Sequence, residues 1–218
     1  MSTAREEILG RIRTALADVP VALRPPSVDD DVPREYGRGT LPDPGALAEL
    51  LCERIRHYAA EAERVAHEHQ IAEAVRAGCV RLGIERLLCA PGAPAGWRPD
   101  GITVAEDDGV SVAELDRVDG VLTGCALAIA ETGTLVLDGR PPCGRRALTL
   151  VPDRHLCVVR AEQIVERVPE AIAALEQSVA RARVPVTLVS GSSATSDIEL
   201  ERVEGVHGPR RLLVLIAG

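Results

Sequence analysis

Hydrophobic positions along the chain follow two periods, and the boundaries between them outline the fold. Ile8, Ile12 and Leu16 recur every four residues with Leu9 and Ala15 beside them, so residues 3–17 read as an amphipathic helix that needs a surface to lie on. From Asp18 to Pro42 the period disappears; several prolines and the acidic triplet Asp29, Asp30, Asp31 make this stretch an extended linker. Asp43 then stands as a helix cap with Pro44 at the first helical position, and Leu47, Leu50, Leu51, Ile55 and Tyr58 continue one apolar face to residue 58. Residues 62–65 suit a short strand or more helix equally well. Ile71, Ala74, Val75, Gly78, Cys79 and Leu82 return to helical spacing, Gly83 is a stop, and residues 84–90 form a strand ending at Pro91.

The second half is richer in strands. A strand at 102–105 and a short helix at 112–116 precede apolar runs at Leu127 to Ala130 and Thr134 to Leu137, with further strands expected at 148–151 and 156–159. Ala161 to Glu166 reads as a short helix. Pro169 heads a longer helix whose Ile172, Leu175 and Val179 form its buried stripe, and a buried strand at 186–189 and a terminal strand at 212–216 complete the chain. Helix and strand alternating in this rhythm predict an α/β domain, a layered sheet with helices on its faces, over residues 44–218, preceded by an N-terminal helix and linker over 1–43.

Composition narrows the chemistry. With 218 residues and 46% hydrophobic content the chain can bury a substantial core, while a net charge of −8 and a near absence of aromatic residues argue against nucleic acid as a partner. All 25 basic residues are arginine, which excludes a phosphate-binding loop with its lysine, a Schiff-base lysine and a Ser-Lys hydrolase dyad. No apolar run reaches the ~18 residues that cross a bilayer and the N-terminus lacks a signal core, so no membrane span and a cytoplasmic location are expected. The six cysteines include no CxxC and no histidine at zinc spacing, so the chain shows no iron–sulfur ligands of its own. Cys143 differs from the rest in lying in a loop beside two arginines that can lower its pKa. His67 and His69 read as solvated residues at a helix end, pointing to opposite sides.

Two stretches carry candidate chemistry. Between the strand ending at Val189 and the terminal strand, Gly191, Ser192, Ser193 and Thr195 offer hydroxyls and backbone N–H groups, and Ser196 to Glu199 matches a capping box that starts a short helix. A strand, a small-residue loop and a helix N-terminus make an anion cradle, or else a plain turn between two elements. His207, in the following His-Gly-Pro-Arg turn, suits proton transfer or is a structural turn histidine. The second stretch is Glu131-Thr132-Gly133, set between two buried strands. Its carboxylate either faces a cleft at a strand end or is an ordinary exposed turn residue.

AIAETGTLVL at 128–137, GRRALTLVPDRHLCVV at 144–159 and VSGSSATSDIELERVEGVHGPR at 189–210 together resemble the lactate utilisation protein C family of stand-alone LUD-domain proteins, in order over residues 44–218. Gly191-Ser192-Ser193 stands where that family usually has Gly-Pro-Ser, keeping the second hydroxyl and loosening the turn. The resemblance implies a mostly parallel sheet between helices, similar to the sugar-phosphate isomerase and CoA-transferase superfamily. It also implies a part in oxidising L-lactate to pyruvate beside partner proteins that carry iron–sulfur clusters.

In open α/β sheets ligands gather beyond the carboxyl ends of strands, so the turns at 131–134 and 190–199 are expected to meet there. Thr132, Gly133, Thr134, Gly191, Ser192, Ser193 and Thr195, with Arg146 and Arg210 for charge, are then expected to hold a small anionic metabolite. Glu131, Asp197, Glu199 and His207 are the candidate acid, base or metal-binding groups. The sequence names no cofactor. Two other readings share the fold: a free-standing transferase or isomerase, in which Glu131 parallels the nucleophile of the Glu-Asn-Gly turn of CoA transferases, and a regulator that binds a small anion without turnover.

Overall fold

The computed structural model describes residues 3–17, 35–37, 39–40, 43–195 and 203–218, and the chain divides into a unit over Met1–Tyr36 and a unit over Gly37–Gly218. In the first, helix α1 (Ala4–Ala15) begins at a capping box: Thr3 accepts from the N–H of Glu6, whose carboxylate accepts in turn from the N–H of Thr3 at 2.8 Å. Its stripe of Ile8 and Ile12, continued by Leu16, is exposed.

In the second unit, α2 (Pro44–His57) starts where Asp43 accepts hydrogen bonds from Gly45 and Ala46, and it buries Ala48, Leu51, Cys52 and Ile55. The ambiguous stretch after it is a strand, β1 (Glu61–Val65), and α3 (Ile71–Leu82) follows with Gly83 as its left-handed cap. Then come β2 (Arg86–Cys89), β3 (Thr103–Glu106), α4 (Val112–Leu115), β4 (Gly120–Gly124), β5 (Leu127–Ile129), β6 (Thr134–Leu137), β7 (Arg154–Arg160) and β8 (Ile164–Val165). The chain continues through α5 (Val168–Ala182), β9 (Thr187–Ser190), the short pair β10 (Ala194–Thr195) and β11 (Val203–Glu204), and β12 (Arg211–Ala217).

Six strands in the order β1-β12-β7-β4-β2-β3 pair in parallel as the central sheet. Its middle strands are buried on both faces, which explains why VLTG and LLVLI read as continuous apolar runs without alternation. Side chains still alternate: Leu212, Val214 and Ile216 of β12 pack toward α2, while Leu213 and Leu215 pack toward α3 with Leu156 and Val158. A smaller sheet, β8-β5-β6-β9, is mostly antiparallel and carries α5 on one face through Ala171 and Leu175.

Several expectations are corrected here. Leu148 to Val151 is not a strand; residues Arg146–Thr149 form one 3-10 turn that buries Leu148 against Leu88, Ala90, Leu115 and Val121. A short apolar run has no period to separate a strand from a buried turn. The expected helix at 161–166 is a single 3-10 turn followed by β8. Ile172 and Val179 lie exposed, because α5 meets the smaller sheet through Ala171 and Leu175 instead. Cys143 is 1% exposed, and burial pushes its thiol up to about 12, the opposite of the lowering expected from its neighbouring arginines. His67 and His69 are exposed as expected, yet their rings stack at 5.3 Å, since His67 is extended and precedes the helical turn.

Candidate functional site: a cationic cavity under the edge strand

The two turns singled out in the sequence are joined by hydroxyls. Strand β6 pairs antiparallel with β9 so that Thr134, the last residue of the Glu-Thr-Gly-Thr turn, sits opposite Ser190. The Thr134 hydroxyl lies 2.7 Å from both the Thr132 hydroxyl and the Ser190 hydroxyl. Both turns also press on the end of α2. Gly133 (φ +61°) and Gly191 (φ +80°) leave no room for a side chain: a Cβ on Gly133 falls 2.8 Å from the Arg54 carbonyl carbon, and one on Gly191 falls 2.5 Å from the Tyr58 Cβ.

Beyond Gly191 the chain is tied to the turn that precedes β12. Ser193 donates its N–H to the Pro209 carbonyl at 2.9 Å and accepts from the Gly205 N–H at 2.8 Å, while its hydroxyl accepts from the His207 N–H at 3.0 Å. These two loops, β9 and the 3-10 turn at Arg146 enclose a cavity of about 210 Å³, floored by His155 and Leu212 at the heads of β7 and β12. Arg146, Gly191, Ser192, Ser193 and His207 line it together, with Ser190 and Thr149.

The remaining candidates lie elsewhere. Thr132, Gly133 and Thr134 stand one hydroxyl away, behind Ser190. Glu131 is an exposed turn residue whose N–H donates to the Glu166 carbonyl, and it does not line the cavity. Arg210 points outward in a two-pronged ion pair with Asp153 at 2.6 and 3.0 Å. Thr195 begins the short pair with Val203. Asp197, Glu199 and the capping box that begins at Ser196 fall outside the described residues.

The cavity lies away from the carboxyl ends of the central strands, where the two turns were expected to meet. It opens at the amino ends of β7 and β12, because the loops that line it leave the smaller sheet, whose edge strand β9 ends over that side of the central sheet. At the carboxyl ends of β2 and β4 the space is filled: a Cβ on Gly124 falls 2.6 Å from Pro142, and Trp97 lies close by. A second cavity does border the carboxyl ends of β1, β7 and β12, but its Arg160 is already paired with Glu68 at 2.8 Å and lies over the Trp97 ring.

Among the described residues the charge lining the first cavity is of one sign. Among the described residues no carboxylate lines it, and the Arg146 guanidinium donates only to the carbonyl and hydroxyl of Thr149, at 3.2 and 2.7 Å. Its neighbour Arg145 fixes the turn that carries it. Arg145 grips the buried Asp107 through two hydrogen bonds of 2.7 and 2.9 Å, which hold that carboxyl below the usual range. A carboxyl with a depressed folded pKa stabilises the protein fully above its unfolded value, and that stability is lost as pH falls through the folded value. Asp107→Asn is therefore expected to cost about 1–2 kcal/mol at pH 7, the lower range because the guanidinium is part-exposed. Urea titrations should show the difference from wild type closing as pH falls below the ordinary carboxyl value of about 3.9.

His155 had not been singled out. It is 2% exposed, its Nε2 lies 2.8 Å from the Thr123 hydroxyl, and burial, reinforced by the charge of Arg146, lowers its pKa to about 4. A signal existed in Arg-His-Leu-Cys-Val-Val: His155 shares the phase of Cys157 and Val159, which puts it on the inner face of its strand.

Fold and site together define an α/β protein with an extra antiparallel sheet and a small cationic cavity where the two sheets meet. The chain belongs to the LUD domain family, whose model matches residues 52–217. It is 51% identical over 183 residues to a lactate utilization protein C of Deinococcus radiodurans, covering 82% of this chain and 84% of that protein. A lactate utilization protein C of Bacillus subtilis is 30% identical over 120 residues, 52% of this chain and 50% of that one. Among solved structures, a DUF162 family protein from Deinococcus radiodurans superimposes with a TM-score of 0.69 at 39% identity, covering 81% of this chain and 99% of that one. Among the described residues no helix is long and apolar enough to cross a membrane, and no three His, Cys, Asp or Glu side chains lie together as a metal site.

Proposed function

We propose that this protein is a cytoplasmic, lactate utilisation protein C-like subunit that takes part in oxidising L-lactate to pyruvate together with iron–sulfur partner proteins, and that the cavity under β9 holds the small anionic metabolite. The observation that carries the binding part is Arg146: a guanidinium at the rim of a hydroxyl-lined cavity whose described walls hold no carboxylate. Such a charge is best answered by an anion from outside the chain. The relatives named above support the metabolic setting.

In this reading Arg146 and the N–H groups and hydroxyls of Gly191, Ser192 and Ser193 hold the anion, with Thr132, Gly133 and Thr134 bracing the loop through Ser190. His207, at the mouth, is the proposed proton carrier, and Asp197 and Glu199 remain candidates beside it. The transferase alternative rests on Glu131, whose exposed side chain borders neither cavity. Deleting the gene is expected to abolish growth on L-lactate, and the tagged protein is expected to co-purify with iron–sulfur proteins. Unchanged growth on lactate overturns the proposal.

A further inference from the structure

Among the described residues His155 uses only one of its two ring nitrogens. Its Nε2 is engaged by Thr123, a hydroxyl buried in β4. Its Nδ1 makes no hydrogen bond to a described residue, and the ring lines the cavity. A ring nitrogen left over at a cavity wall can hydrogen-bond to a molecule in the cavity.

The Thr123–His155 pair has a property that narrows what the partner is. Neither hydrogen position is fixed by the chain. If the Thr123 hydroxyl donates to Nε2, the ring shows an Nδ1–H donor to the cavity; if Nε2–H donates to Thr123, the ring shows a lone pair. The same side chain can thus meet a carbonyl oxygen, which only accepts, or a hydroxyl, which can donate. Arg146 lines the same cavity as the ring. One cation and one neutral two-way group match a ligand with one negative charge and one neutral oxygen; a dianionic phosphate leaves a charge over.

We propose that His155, oriented by Thr123, is a specificity-determining residue that reads the oxygen on carbon 2 of a 2-hydroxy or 2-oxo monocarboxylate whose carboxylate is held by Arg146. The inference rests on the proposed use of this cavity and adds a residue and a selectivity to it. Thr123 is a positioning residue, because it acts through the ring.

The test is calorimetric titration of the full-length protein with L-lactate, pyruvate, propionate and inorganic phosphate. Lactate and pyruvate are expected to bind at least tenfold tighter than propionate, which lacks the 2-oxygen, and tighter than phosphate. The ratio to propionate is expected to fall toward one in His155→Phe and to shrink in Thr123→Val. In protein labelled with ¹⁵N-histidine, the His155 Nδ1 resonance should move on adding lactate and stay in place on adding propionate, a readout independent of whether the variants fold. Equal binding of propionate and lactate with an unmoved Nδ1 overturns the role of His155, while binding that disappears in Arg146→Ala keeps the cavity as a carboxylate site. Failure of all four ligands to bind overturns both.

Discussion

Between pH 6.5 and pH 4 the protein is expected to lose about 3 kcal/mol of stability through one side chain. His155 has a folded pKa of about 4 against an ordinary value of 6.5, so in that interval the unfolded chain binds a proton that the folded chain refuses. The sign follows: this contribution is complete above pH 6.5, falls steadily as acid is added, and is exhausted below pH 4. The depressed carboxyls of Asp107, Asp138 and Asp153 act lower, beneath about pH 3.9, and that of Glu170 beneath about 4.5, so only the acid foot of the histidine window overlaps them. Urea titrations at half-unit intervals should show the slope, and His155→Phe should flatten it whatever the variant's absolute stability. A flat wild-type profile from pH 6.5 to 4 contradicts the buried, neutral imidazole.

Gly191→Val should be the most damaging single change at the site. A valine at φ +80° adopts a backbone region its branched Cβ resists, and that Cβ arrives 2.5 Å from Tyr58 Cβ and 2.9 Å from the Tyr58 carbonyl oxygen. Strain and overpacking each cost about 1–3 kcal/mol, and the loop has nowhere to retreat because Ser193 is pinned to Pro209 and Gly205. The expected result is a loss of about 3 kcal/mol together with loss of anion binding, since β9 must lift from α2. Thermal unfolding with and without lactate measures both. A variant that keeps wild-type stability and binding shows that the α2 contact does not hold the loop.

The helices and the strands of the main sheet were legible where the chemistry of their ends was local. Asp43 and Pro44 set the start of α2, Gly83 stops α3, and the period between them needs no tertiary information. Leu148 and β9 mark the limit. Leu148 is apolar because a turn is buried, and β9 was expected to be a buried strand but is an edge with Leu188 and Ser190 outward. Burial of that kind depends on which elements meet, and no local pattern records it.

The site divides in the same way. The Gly191 loop and Glu131-Thr132-Gly133 were visible because hydroxyls and glycines between apolar runs are conspicuous. Their meeting at Ser190 depends on β6 pairing with β9 across more than fifty residues, which the period of neither strand specifies. His155 was missed because a histidine inside an apolar strand looks like core, and only the cavity beside it distinguishes the two.

Backbone amide resonances followed during a titration with L-lactate test the central claim most directly. If the cavity under β9 is the anion site, the shifts concentrate on Gly191, Ser192, Ser193, Gly208 and His155, and they vanish in Arg146→Ala. Shifts gathered instead around His67, Glu68 and Gly218, at the carboxyl ends of the central strands, contradict it.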